Sequence, residues 1–431
     1  YVSVDRITSV PKYEYADHLI WEDNLTLVTR FSAANGGSRG RNAGSYTELF
    51  SNTRNIDWTS TASYTQDLTS KLKLTAIGGL NYFDVLNREM LGETNGGLVV
   101  PGVYNLANSK DRASASQNHF NRRIIGLLGS ATFGWDDKIF LTYSARNDWS
   151  STLPVNNQSF FYQAVGVSAI VSDYLGLDSS NPLSYIKVRA DYGTTGKDAQ
   201  IHQLSNLYET NPVFRDFGDV YQVKSPLGGQ TSITKRPLIG NSTLRPELTT
   251  TFEVGTDVTL FDGRIELAYT YYKSNSTDQI VTVDLPRSTG YRTTVMNIGE
   301  VQNRGHEVTL TLVPLTFQNG FKWTSNLTWS RNRSEIIKVS DQADDLTYWD
   351  DGSGLTLRAE VGQPFGTWKS QVKRYTDEGQ PIVDANGSHA YTSEIQTVGS
   401  VQPDWIGGLV NTFSYKGLSL GVVIDTRQGG T

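Results

Sequence analysis

Five histidines supply the imidazoles of this chain: His18, His119, His202, His306 and His389. A zinc hydrolase motif sets two histidines one helical turn apart around a glutamate, and no pair here has that spacing. His306-Glu307 is followed by Val308 and alternates into extended sequence, so it reads as a strand-end residue. Gly193-Thr194-Thr195-Gly196-Lys197 echoes a phosphate-binding loop. Such a loop needs an earlier glycine, where Asp191 stands, and a hydroxyl after the lysine, where Asp198 stands. A strand-to-loop turn is expected instead. The acidic run from Asp341 to Asp351, with Asp344, Asp345 and Asp350, has the hard oxygens that a divalent cation prefers. Its ligand order is not that of a calcium loop, and a solvated loop is expected. Asn24, Asn241, Asn275 and Asn326 open glycosylation-type triplets that arise often by chance. The chain has no cysteine, which excludes disulfides and thiolate metal sites. A net charge of -6 and a pI near 5.5 leave no basic footprint for nucleic acid. No cofactor is implied, and the chemistry on offer is binding and passage, not catalysis.

Charged residues set between apolar neighbours are the better candidates. Arg146, Lys187, Arg189, Asp191, Glu253, Asp257, Glu266 and Glu307 all have this setting. Facing lipid, each would cost several kcal/mol, so they are expected to line an aqueous lumen. There they would be solvated or touch a passing solute directly. A second group is aromatic and lies in polar segments: Tyr208, Phe214, Phe217 and Tyr221, then Tyr348 and Trp349. Aromatic faces beside amides and carboxylates suit sugars and peptides alike, so these are the candidate ligand-binding residues.

The elements that would hold both groups are strands. Phe252, Val254, Val258 and Leu260 share one phase, while Glu253, Gly255, Asp257 and Thr259 share the other. Asp262-Gly263 follows, a tight-hairpin dipeptide, and alternation resumes with Ile265, Leu267, Tyr269 and Tyr271. Val308, Leu310 and Leu312 lead to Asn319-Gly320, after which Phe321, Trp323, Leu327 and Trp329 alternate with Lys322, Thr324, Asn326 and Thr328. Leu418, Leu420, Val422 and Ile424 repeat the phase after Lys416-Gly417. The apolar phase is expected to face lipid.

About 14 strands are counted this way. Short connections (Asp136-Asp137, Asp262-Gly263, Asn319-Gly320, Lys416-Gly417) take turns with long ones near 34–45, 93–111, 149–157, 197–247, 284–297 and 337–403. That asymmetry marks an outer-membrane barrel with its long loops, 197–247 and 337–403 above all, outside the cell. Strands over 46–65, 71–92 and 112–134 exceed the usual ~5–6 residues, as tall barrel walls do. Hydrophobic residues at 37% and a mean hydropathy of -0.38 do not oppose this, because a barrel alternates apolar and polar residues. The 22 Tyr, 9 Trp, 16 Phe and 40 Gly suit strands and turns better than helices. A soluble sandwich would need shorter strands, and a propeller would show a fixed repeat, which is absent.

Several stretches, in order, resemble the SusC/RagA family of TonB-linked outer-membrane transporters of Bacteroidetes. They are Val99-Val100-Pro101-Gly102-Val103-Tyr104-Asn105-Leu106, then Phe133 to Lys138 with Ser144 to Ser151, then Ile186 to Gly193 with Gly196. Leu244-Arg245-Pro246-Glu247, Gly290, Asn297 to Glu307, Gln402 to Gly408 and Tyr415-Lys416-Gly417 continue the series. Each alone is weak, and the ordered series is strong. Arg146-Asn147-Asp148-Trp149 departs mildly from the family's Arg-x-Asp-Gly.

The resemblance implies an all-β transmembrane antiparallel barrel of about 22 strands. Residues 1–431 would then be an internal segment at roughly strands 6 to 19 by the alternation count, without the family's plug or closing strands. No signal peptide opens the chain at Tyr1, which fits processing or truncation. The implied location is the bacterial outer membrane, among its lipid. The implied function is TonB-dependent import of a glycan or peptide fragment, with a SusD-like lipoprotein as lid and TonB with its ExbB/ExbD motor acting through the plug. The rival expectations are a passive, plugless porin of about 16–18 strands and an adhesive barrel.

Overall fold

The computed structural model describes residues 2–9, 12–13, 45–100, 103–178, 180–210, 213–216, 219–222, 233–340, 343–350 and 354–431, while the side chains of 1–45, 47, 209–234 and 287 lie outside the description. Strands dominate. The wall strands are β1 (Val2–Ser9), β2 (Lys12–Tyr13), β3 (Ser45–Asp67), β4 (Leu72–Leu98), β5 (Ser109–Trp135), β6 (Ile139–Ser150) and β7 (Ser159–Ile170). After them come β8 (Leu183–Lys197), β9 (Glu247–Leu260), β10 (Ile265–Thr277), β11 (Glu300–Thr316), β12 (Lys322–Lys338), β13 (Trp405–Tyr415) and β14 (Leu418–Gln428). Among the described residues they make a 14-stranded sheet in an open path, each strand from β3 onward hydrogen-bonded to the next in sequence. β14 pairs with β13 along one edge and with no described strand along the other. Among the described residues no helix is long and apolar enough to cross a membrane.

The chain divides into two compact units. One holds 1–59, 81–125 and 206–237; the other holds 60–80, 126–205 and 238–431. In the first unit Asp84, almost fully buried, sits between two guanidiniums, with Arg54 at 3.2 Å and Arg123 at 3.0 Å. A carboxylate buried to that degree needs its charge matched, and the two arginines supply the match from β3 and β5.

In the second unit the ladder is sustained by sequence alternation and tight turns. Lys416 and Gly417 both take positive φ, 44° and 88°, so Tyr415 faces Leu418 across a two-residue turn. Such left-handed pairs match the twist of the strands they join. Neighbouring turns are laced together: the Asp136 amide donates to the Lys71 carbonyl at 2.6 Å, Ile170 to Lys138 at 2.8 Å, Phe261 to Pro182 at 2.7 Å and Val313 to Arg264 at 2.8 Å. The expected turns in this unit therefore share one end. A connection not anticipated joins them, residues 171–182, whose short helix α1 (Val171–Leu175) stops at Gly176 with φ 63°. Hydrogen bonds from Ser180 and Asn181 hold the Asp178 carboxyl there below the usual carboxylate range.

Three expectations need correction. The connection placed at 93–111 is shorter than expected and covers only 99–108, since β4 runs to Leu98 and β5 begins at Ser109. Gly193 to Lys197 is strand and not a turn: it is the end of β8, where Thr194 Oγ donates to the Gln163 carbonyl at 3.3 Å. The longest connections are not bare loops. Strands at 208–210, 213–216, 219–222, 233–235 and 238–239 interrupt the first, and strands at 345–350, 356–360, 367–370 and 396–400 form a sheet in the second.

Candidate functional site

Register places all eight charged candidates on one face of the second unit. Arg189 lies opposite Gly255, Lys187 opposite Asp257, and Asp191 opposite Glu253 and Gly166. Glu307 faces Thr270, Glu266 faces Thr259, and Arg146 faces Tyr162 in the same phase. Two local networks form. Arg189 binds both Asp257 oxygens at 2.8 Å and donates to Thr270 Oγ at 2.6 Å. Its guanidinium lies across Gly255, where a Cβ would come within 2.8 Å. Arg146 Nε reaches Asp148 Oδ1 at 2.7 Å, and the Tyr162 hydroxyl donates to the other oxygen at 2.7 Å. Asp191 lies over Gly166. Lys187, Glu253, Glu266 and Glu307 form no ion pair among the described residues. Gly255→Ala is expected to push the Arg189 guanidinium off Asp257 and cost about 1 kcal/mol, a charge-assisted pair discounted for its exposure. Urea unfolding of the full-length protein in micelles measures this.

The other face carries one unbroken aliphatic row. Ile186, Val258, Leu267, Leu310, Leu327, Leu409 and Ile424 stand directly opposite one another across β8 to β14. Phe252, Val254, Val258, Leu260, Ile265, Leu267, Val308, Leu310, Leu312, Leu418, Leu420, Val422 and Ile424, all expected on this phase, are none of them buried in a core; Phe252 is 45% exposed and Leu420 62%. His306 belongs to this face, well inside β11 and not at a strand end. Its Nδ1 bonds the Tyr269 hydroxyl at 2.8 Å and its ring lies 5.2 Å from that of Tyr271. Among the described residues no cluster of three metal-ligating side chains occurs.

At the end of the second unit away from the turns, the connections form a core of their own. Leu153, Phe160, Ala199, Leu244 and Val295 are buried together, Leu244 and Val295 completely. Asn297 ties the layer: its Oδ1 accepts from the Arg245 amide at 2.8 Å, and its Nδ2 donates to the carbonyls of Arg245 at 2.7 Å and Asp278 at 2.9 Å. Glu247 accepts from the Ile280 amide at 3.0 Å and from Lys197 at 3.1 Å. Buried Asp198 accepts from Ser150 at 2.5 Å and Thr152 at 2.8 Å. Spacing did not single out Leu244, Asn297 or Asp198. The first two lie in stretches quoted above for their resemblance, and the hydrogen bonds between Arg245 and Asn297 join those stretches, which gives them a physical role.

Of the aromatic candidates, Tyr208 is 67% exposed on its short strand. Phe214 and Tyr221 pair across a hairpin of 213–216 and 219–222, their side chains outside the described residues, as is Phe217 altogether. Tyr348 packs 5.4 Å from Phe365, and burial pushes its hydroxyl above the usual tyrosine pKa. Trp349 stands edge-on to Trp368 at 5.7 Å and stays 47% exposed. Of the acidic run, Asp345 pairs with Arg358 at 3.3 Å, and Asp341 and Asp351 lie outside the described residues.

An antiparallel meander that is aliphatic on one face and ion-paired on the other, with short turns at one end and folded connections at the other, is the wall of a transmembrane β-barrel. The chain belongs to the TonB dependent receptor-like β-barrel family, whose model matches residues 5–412, and is an outer-membrane protein. It is 27% identical over 410 residues to TonB-dependent receptor P26 of Formosa agariphila, covering 88% of this chain and 39% of that one. It is 25% identical to TonB-dependent receptor SusC of Bacteroides thetaiotaomicron, covering 68% of this chain and 30% of that one. The solved RagAB peptide transporter shares the fold, with a TM-score of 0.72 at 22% identity, covering 89% of this chain and 42% of that one. The chain thus spans about two fifths of the length of P26.

Proposed function

We propose that the chain forms part of the wall of a TonB-energised importer of a glycan or peptide fragment. The polar face, with Arg146, Lys187, Arg189, Asp191, Glu253, Asp257, Glu266 and Glu307, lines its lumen. The connections 197–247 and 337–403 face the outside, where Tyr208, Phe214, Tyr221, Tyr348 and Trp349 receive the ligand. A SusD-like lipoprotein serves as lid, and TonB with ExbB/ExbD acts through the plug region of the whole protein. The observation that carries this reading is the four-stranded sheet folded within 337–403, with Trp349 exposed on it. Such edge-on aromatics offer rigid apolar area at low entropic cost, which is what a site for extended polar ligands needs. The kinship with SusC and the RagAB peptide transporter supports it.

The test uses the intact gene in its host, with uptake of labelled oligosaccharides and oligopeptides as readout. Uptake is expected to vanish when TonB is deleted. Trp349→Ala is expected to weaken binding of the imported ligand about tenfold, as loss of an interface anchor does. Uptake that survives loss of TonB would replace this reading with a passive channel.

A further inference from the structure

The aliphatic face ends in a row of cations. Lys273, Arg304 and Arg333 stand directly opposite one another on β10, β11 and β12, in the phase that carries Leu267, Leu310 and Leu327. One step nearer the aliphatic row lie Tyr271, His306 and Arg331, again directly opposite one another. Tyr269, Trp329 and Trp405 complete an aromatic border in the same phase. Tyr271, Arg304, His306, Arg331 and Arg333 enclose an open pocket of about 100 Å³ on this face.

Like charges directly opposite in a sheet repel and destabilise it, so an undiluted row asks for a counter-charge. The protein supplies little. Arg333 pairs with Asp404 at 2.8 Å. Among the described residues Lys273, Arg304 and Arg331 have no ion-pair partner. Glu335 lies in the next row out, opposite Gln302, and Glu300 a row beyond, where it accepts from Asn275 at 3.3 Å. Four cations therefore have three carboxylates near them, of which only Asp404 is paired with one of the four.

The height of the row decides what reaches it. From Ile265 to Lys273, eight residues of strand at ~3.4 Å each and a tilt near 40° rise roughly 20 Å along the membrane normal. That approaches the ~25 Å apolar band of an outer-membrane barrel. The cations therefore sit where acyl chains give way to headgroups, behind a belt of Tyr, His and Trp. The turns mark the other border, so this is the leaflet on the loop side.

We infer that Arg304, Arg331, Arg333 and Lys273 form a binding site on the outer wall for the phosphate of an anionic outer-leaflet lipid, whose acyl chains lie along Leu310, Leu327 and Leu267. The guanidiniums take the phosphate oxygens as a planar fork suits them to do. His306, fixed by Tyr269, and the Tyr271 ring form the floor. The site rests on the outward orientation of the aliphatic face and is separate from the lumen.

The probe is lipid A carrying two phosphates, added to the full-length transporter in zwitterionic detergent and followed by native mass spectrometry. Comparison probes are the same lipid after phosphatase treatment, phosphatidylcholine, and inorganic phosphate as competitor. Bound phosphorylated lipid is expected, with neither comparison lipid retained and no displacement by inorganic phosphate. Each basic residue near an anionic leaflet contributes about fivefold in affinity, so Arg304→Gln with Arg331→Gln should weaken retention roughly 25-fold. Arg304→Lys with Arg331→Lys should keep most of it. The glutamine pair should also leave the melting temperature in lipid-free micelles unchanged or raised, because it removes repulsion. Equal retention by the glutamine pair, or equal binding of dephosphorylated lipid, overturns the site. Displacement by inorganic phosphate reassigns it to a free anion and overturns the lipid. A label on Leu310→Cys, quenched by brominated lipid if this face is outward, reads the orientation by itself. Absence of that quenching overturns the wall assignment and not the phosphate chemistry.

Discussion

Arginine in place of Leu310 is expected to destabilise the full-length barrel by about 2–4 kcal/mol, the cost of a cation facing the lipid midplane. Arginine in place of the next residue, Thr309, is expected to change stability by less than about 1 kcal/mol. The contrast comes from the pleat. Leu310 stands in the aliphatic row between Leu267 and Leu327, whereas Thr309 stands between Ala268 and Thr328 in the phase of Glu307 and Asp257. A guanidinium at 310 must leave water or drag it in, and the neighbouring strands offer it nothing but methyl groups. At 309 it enters a face that already carries Arg189 and Asp257 as a bidentate pair. Urea titration of refolded protein in phospholipid vesicles, followed by tryptophan fluorescence, measures both variants. A larger cost at 309 would reverse the two faces, and equal costs would mean that lipid and water do not separate them.

The faces were readable in advance because a strand repeats every two residues and its partner must repeat in step. Once Leu310 is outward, register alone carries the phase from Ile186 to Ile424 across seven strands. The tight turns were readable for the same local reason: Lys416-Gly417 and Asp262-Gly263 hold residues that tolerate left-handed backbone. What sequence pattern did not yield depends on contacts between distant segments. Strands of three to six residues, such as 208–210 and 345–350, are too short to show a period. The burial of Asp84 between Arg54 and Arg123 needs residues 30 and 39 positions away, and nothing around Asp84 announces it. His306 was misplaced because its strand begins at Glu300, through a polar stretch where alternation is weak. The cation row Lys273–Arg304–Arg333 is invisible along any one strand. It exists only in register.

The connections were expected as long loops, and their internal order changes what can be removed from them. Excising all of 197–247 would take Ala199 and Leu244 from the buried cluster and Glu247 from the Ile280 amide. A site in the aromatic residues is therefore better probed by single changes such as Trp349→Ala.

Leu244→Ala is expected to cost the loop layer about 2–5 kcal/mol while leaving the strand ladder intact. Leu244 is completely buried against Leu153, Phe160, Ala199 and Val295, drawn from four separate segments, so truncation leaves a cavity that no single segment can collapse to fill. The loss is local because the wall strands are held by their own hydrogen bonds, whereas this layer opens as a unit of its own. Its amides report the opening: Asn241 donates to Gln203 at 2.8 Å, Arg245 to Asn297 Oδ1 at 2.8 Å and Ile298 to Gln279 at 2.8 Å. Their hydrogen exchange should accelerate by roughly 30-fold or more, the factor that corresponds to the lower bound of the cost. Amides of β10 and β11 facing Leu267 and Leu310 should exchange as before. Asn297→Ala should open the same amides, since it removes three hydrogen bonds from one knot, and the double variant should fall short of the sum because both changes release the same contact. Acceleration spread evenly over wall and loops would mean that the layer is no separate unit. Unchanged exchange at 241, 245 and 298 would mean that Leu244 does not hold it.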